Sequence, residues 1–189
     1  MKFYQRAFIL LSMMIIGMSS CKKEKVDPVI PNEEELITSL IYTLVDTLNN
    51  DTVVFSIVDP DGDGGLAPVI TTDTLQPNTV YYGYLQLYND AVNPPINIGD
   101  EIVDEGTAHQ FFYEIQAGLN MQVTYDDADA NGNPIGMDTW VQTGAMSYGE
   151  LVIILRHEPD KYAMGVSEGD IENAGGDTDI EVNFDVTIN

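Results

Sequence analysis

Residues 181–189 read EVNFDVTIN, and the apolar side chains fall on every second position. Val182, Phe184, Val186 and Ile188 share one face, while Glu181, Asn183, Asp185 and Thr187 share the other. A period of two marks a strand with one buried face, because successive side chains of an extended chain point to opposite sides. The same alternation runs through Met121, Val123 and Tyr125, and through Phe111, Tyr113 and Ile115. Segments 36–44, 52–58, 79–88, 139–143 and 150–157 are similarly rich in Val, Ile, Thr and Tyr. Clusters such as LNND, QPN and VNPP separate them and supply turn residues. Only residues 98–105 read as a helical turn. About eight strands without crossover helices predict an all-β domain, a single antiparallel β-sandwich of immunoglobulin-like type. A small open barrel is the alternative.

Composition shows that such a domain can hold a core. Apolar residues make up 44% of the chain, with ten Tyr, six Phe and one Trp, so its acidity is not a mark of disorder. The charge is one-sided: 31 Asp and Glu stand against seven Lys and Arg, for a net charge of −24. Lys2, Arg6, Lys22, Lys23 and Lys25 all precede Glu35, leaving only Arg156 and Lys161 beyond it. This field excludes nucleic acid as a partner, since phosphate contacts need Lys and Arg. It repels acidic lipid head groups and concentrates cations.

The N-terminus speaks to location. Lys2 and Arg6 flank the start of an apolar run at residues 7–18, too short to span a bilayer comfortably. Met18, Ser19, Ser20 and then Cys21, the only cysteine, resemble a bacterial lipobox. That resemblance implies a signal peptide over residues 1–20 and acylation of Cys21, a lipid anchor without a spanning helix. Residues 21–35 carry Pro28 and Pro31 and read as a flexible lipidated tether, leaving 36–189 for the sandwich. Lys22 stands where the inner-membrane retention signal of enteric lipoproteins carries an acid. The resemblance therefore implies the outer membrane of a Gram-negative envelope, on its periplasmic or its cell-surface face. With its DPDGDGG, HQFF and RHEP blocks the chain resembles exported bacterial lipoproteins, some of them labelled as periplasmic-binding-protein type. That label implies alternating strands and helices, which this sequence does not show. The partners implied are the membrane, through the anchor, and an outer-membrane protein or extracellular ligand.

Two acidic loops have the spacing of calcium sites. Counted from Asp127, the first places Asp129 at position 3, Asn131 at 5, Gly132 at 6, Asn133 at 7 and Asp138 at 12. Oxygens at 1, 3 and 5 converge on a hard cation, Gly at 6 permits the turn, and position 12 closes the shell. Asp in place of Glu at 12, and strands in place of helices on both flanks, weaken the match. Asn131-Gly132 is equally a strong hairpin turn. The second loop has Asp59, Asp61 and Asp63 followed by Gly64, with Ile70 at position 12, so a completing carboxylate must come from elsewhere. The stretch holding Glu168, Asp170, Glu172, Asp177 and Asp179 supplies one if the two loops meet at one end of the sandwich.

Catalytic signals are weak. Gly165-Val-Ser167-Glu-Gly169 matches a nucleophile elbow in letters, but both histidines precede Ser167 and the surroundings are all-β. The chain is therefore expected not to be an enzyme. His109 opens one strand candidate and His157 ends another. If those ends meet, His109, His157, Glu158 and a loop aspartate form a transition-metal set, zinc for example. Tyr81, Tyr82, Tyr84 and Trp140 offer rings on which a glycan can stack. The leading expectation is a lipid-anchored, non-enzymatic binding or structural module with calcium-stabilised loops. An accessory protein capturing zinc for an outer-membrane transporter and a glycan-binding surface lipoprotein are the alternatives.

Overall fold

The computed structural model describes residues 35–59 and 65–189. Its strands are β1 (Ser39–Asp46), β2 (Thr52–Val58), β3 (Val69–Thr72), β4 (Val80–Asn89), β5 (Ile96–Asn97), β6 (His109–Ile115), β7 (Met121–Tyr125), β8 (Asp138–Thr143), β9 (Ser147–His157) and β10 (Asp177–Ile188). One helix, α1 (Ile98–Asp104), precedes β6, and two short 3-10 turns, Val166–Glu168 and Ile171–Asn173, precede β10.

The strands pair antiparallel into two sheets. The larger runs β3-β2-β1-β4-β8-β7 with β5 added beside β4, and the smaller runs β10-β9-β6. Strands account for 49% of the structure against 9% helix, and the sheets do not close into a barrel. The expected all-β sandwich is what forms. β3 and β5, with four and two residues, are the strands that the alternation did not reveal, being too short to show a period.

The core lies between the inner faces. Leu40, Tyr42, Leu44, Phe55 and Leu87 come from the larger sheet, and Phe111, Leu151, Ile153, Leu155 and Phe184 from the smaller, all fully buried. At β4 the packing leaves no room for a side chain on Gly83. A Cβ there would fall within 2.8 Å of Leu44, the Thr139 hydroxyl and the Tyr42 hydroxyl. Those two hydroxyls share a buried 2.7 Å hydrogen bond.

β9 breaks the alternation because it is covered twice. Leu151, Ile153 and Leu155 enter the main core, while Val152 and Ile154 join Phe112 on the opposite side under Val166 and Ala174. A strand buried on both faces reads as a continuous apolar run, here LVIIL. At one end of the sandwich the chain entering β1 is tied down at Thr38. The Thr38 N–H donates to Tyr88 O at 3.0 Å, and Thr38 O accepts from the Asp59 N–H at 2.7 Å. The Asp90 N–H donates to Thr38 Oγ1 at 2.7 Å. The ends of β1, β2 and β4 are thereby fixed together, and Glu35 lies three residues upstream.

Candidate metal centre

His109 and His157 are direct register partners across β6 and β9. Their rings therefore meet, with centroids 4.9 Å apart in an edge-on arrangement. β10 lies on the other side of β9, and its ladder slips between Thr178 and Ile180. Asp179 is the extra residue of that bulge. Regular alternation from Val182 and Ile180 would send Asp179 outward, whereas a bulge re-aims a side chain, and here its carboxylate is fully buried beside the imidazoles. Gly176 lets β10 approach so closely: its φ is +69°, and a Cβ there would fall 2.2 Å from His157 O. The fourth member, Glu35, comes from the chain leading into the larger sheet, so the site joins both sheets.

The distances are short. His109 Nε2 lies 2.9 Å from Glu35 Oε1 and 3.9 Å from Asp179 Oδ2. His157 Nδ1 lies 3.4 Å from Glu35 Oε2 and 3.6 Å from Asp179 Oδ1. The four side chains are 0–7% exposed, and one donor atom from each lies within 4.8 Å of every other. Tetrahedral zinc with bonds of about 2.0–2.1 Å separates its ligand atoms by about 3.3–3.4 Å. The four contacts, which engage both oxygens of each carboxylate, bracket that value. The charge also fits: two carboxylates and two neutral imidazoles balance one divalent ion.

The outer contacts orient the donors. His109 Nδ1 lies 3.3 Å from Glu105 O, just after α1. With the proton on Nδ1 donated to that carbonyl, the lone pair of Nε2 faces the carboxylates, the usual device for orienting a metal-ligating imidazole. The Glu105–Ala108 segment is in turn pinned by Lys161, whose Nζ donates to Gly106 O at 2.5 Å, and by the Glu158 N–H, which donates to Ala108 O at 2.6 Å.

Lys161 also decides the fate of the loop at 127–138. Its Nζ donates to Pro134 O at 2.9 Å and to Asp129 Oδ2 at 3.0 Å. Asp129 Oδ1 accepts from the N–H groups of Asn131 and Asn133. Asp127 accepts from Gly136, Met137 and Asp138 N–H groups. The oxygens at positions 1 and 3 that a calcium ion would need are thus engaged by N–H donors, and an ammonium sits among them. Burial pushes the Lys161 ammonium below its usual pKa, and Asp129 offsets part of that. Burial acts to raise Asp129, but the Lys161 and backbone hydrogen bonds outweigh it and hold the carboxyl below its ordinary range. Crowding lifts Asp138, through burial first and then the charges of Asp127 and Asp126.

The remaining candidates separate clearly. Glu158, expected beside the histidines, is exposed; the carboxylates there are those of Glu35 and Asp179. Asp59 lines one cavity with Glu35 and Asp179, so the end of β2 and the start of β10 do meet. Asp61, Asp63 and Cys21 lie outside the described residues. Tyr81 is buried, its hydroxyl accepting from the Gln76 N–H, which removes it from any glycan platform. Tyr82, Tyr84 and Trp140 do share the outer face of the larger sheet, Tyr82 lying 5.4 Å from Trp140 and 6.4 Å from Tyr84. Ser167 sits on a 3-10 turn, not an elbow, and its hydroxyl donates to Glu168.

Sequence reasoning missed Glu35 and misplaced Asp179. Glu35 is the last of three consecutive acids after a proline-containing stretch, and nothing in its neighbours distinguishes it. The pair Gly175-Gly176 just ahead of β10 was the available signal that the strand starts irregularly. No family model matches the chain, no curated protein matches it, and no solved structure matches it.

Proposed function

We propose that this chain is a lipid-anchored protein of the Gram-negative envelope whose β-sandwich binds one divalent transition-metal ion, zinc foremost, through Glu35, His109, His157 and Asp179. The observation that supports it is the convergence of these four buried side chains, with one donor atom from each within 4.8 Å of every other. Imidazole with carboxylate suits zinc and its first-row neighbours. Calcium fits less well, because it takes six to eight oxygen ligands and this site presents two nitrogens. Four protein donors fill a tetrahedral shell, whereas catalytic zinc keeps a position for water. The role is accordingly one of holding an ion, as an accessory protein does that captures metal for an outer-membrane transporter.

Metal analysis of the full-length protein, purified in detergent without chelator, tests this. We expect about one equivalent of zinc per chain, the stoichiometry of a single four-ligand site. His109→Ala with His157→Ala should lose more affinity than the roughly 10–100-fold typical of changing an outer-shell partner. Wild type and double variant with equal zinc content would sink the proposal.

The anchor rests on the residues before Cys21. Cys21→Ser should abolish incorporation of labelled palmitate, and equal labelling of both proteins would refute lipidation at this residue.

A further inference from the structure

A cavity of about 450 Å³ is lined by Glu35 and Asp179 but by neither histidine. Asp59 and Glu181 share its lining, and among the described residues no Lys or Arg does. Four carboxylates and no base make a passage suited to a hydrated cation, and unsuited to an anionic substrate. The imidazoles, away from that lining, are held against the sheet by their register pairing and by Glu105 O. Asp59 itself is set at the end of β2 by its N–H, which donates to Thr38 O at 2.7 Å.

On the reading that this is a metal centre, we infer that its ion is exchangeable cargo, and that Asp59 is the transient ligand through which a divalent cation passes between the cavity and Glu35 with Asp179. An incoming hydrated ion meets the Asp59 carboxylate first and sheds a water for it. Glu35 and Asp179 then replace further waters, and the two imidazole lone pairs complete the shell. Any proton held on those nitrogens leaves to bulk water. Release runs the same steps backward. A group that lowers the barrier without belonging to the final shell speeds uptake and release alike and leaves the equilibrium where it was.

The test is stopped-flow zinc uptake, and chelator-driven zinc release, by the full-length protein in detergent. Asp59→Asn should slow both by about tenfold, the lower end of what a charged cleft contributes to association, while Kd stays within about threefold of wild type. Asp59→Glu should restore both rates. Uptake by wild type should also fall as salt screens the cavity, a reading that needs no variant and stands if Asp59→Asn fails to fold. Unchanged rates in Asp59→Asn, or uptake indifferent to salt, overturn the inference and leave the metal centre standing. A Kd weakened more than about tenfold (1.4 kcal/mol) overturns it as well, by making Asp59 a ligand of the resting site. No zinc binding by wild type fails the centre itself, a different and separately visible result.

Discussion

Zinc at a hundredfold excess over its Kd is expected to raise the melting temperature of the protein by roughly 5–11 °C. An ion bound only by the folded state stabilises it by about 2.7 kcal/mol at that excess, and each kcal/mol moves the midpoint of a domain this size by about 2–4 °C. The centre also predicts a change of sign. Glu35 and Asp179 place two carboxylates in one buried cluster. Without a cation, like charges placed this close repel each other. Asp179→Asn keeps the shape and removes one charge. In chelator it should melt at or above the wild-type temperature, and in zinc well below it. Calorimetry of both proteins in both conditions checks this. A wild-type shift in zinc no larger than in magnesium at equal ionic strength would mean the cluster is not a metal centre.

Lys161→Met is expected to cost about 3–5 kcal/mol, the range for removing one partner of a buried ion pair. The Lys161 and Asp129 side chains are 3% and 0% exposed. The methionine fills similar volume, so the loss falls on the Asp129 carboxylate and on the carbonyls of Gly106 and Pro134, each deprived of a donor. Urea denaturation at neutral pH measures the difference. The acid limb supplies the sign. In the wild type Asp129 is held below its ordinary range, so its contribution is present above the unfolded carboxyl value of about 3.9 and is lost as pH falls through the folded value. The gap between wild type and Lys161→Met should therefore be widest near neutrality and narrow in acid. Asp129→Asn in the Lys161→Met background should recover part of the loss, since the orphaned charge is gone. If the single variant is as stable as wild type, the ammonium is not what closes this loop.

What the alternation conveyed was which residues face inward, and there it succeeded. Val182, Phe184, Val186 and Ile188 are all buried as their spacing requires. His109 and His157 were legible as strand ends, though their pairing depends on the register of β6 against β9, which no local pattern specifies. Asp179 was illegible for the opposite reason. Thr178, Ile180 and Val182 keep the period in sequence, so only the ladder betrays the bulge. In loop 127–138 the spacing that gathers oxygens around an ion also gathers them around backbone N–H groups. The cation it received, Lys161, lies 32 residues downstream of Asp129. Glu35 was read with the charged stretch before it because burial of an acid is set by what packs over it.

The bulge at Asp179 has a second effect, on how copies of the protein meet. β10 is an edge strand of twelve residues, bridged by Leu75 at its far end and otherwise long enough to serve as a template for a foreign strand. An uninterrupted edge invites pairing with another chain, and bulges and outward charges are the usual protections. Here the irregularity that turns one aspartate inward also breaks the edge near its start, and Glu181 and Asp185 project from the strand beyond it. A single inserted residue therefore supplies an inward carboxylate and helps keep neighbouring molecules from zipping together.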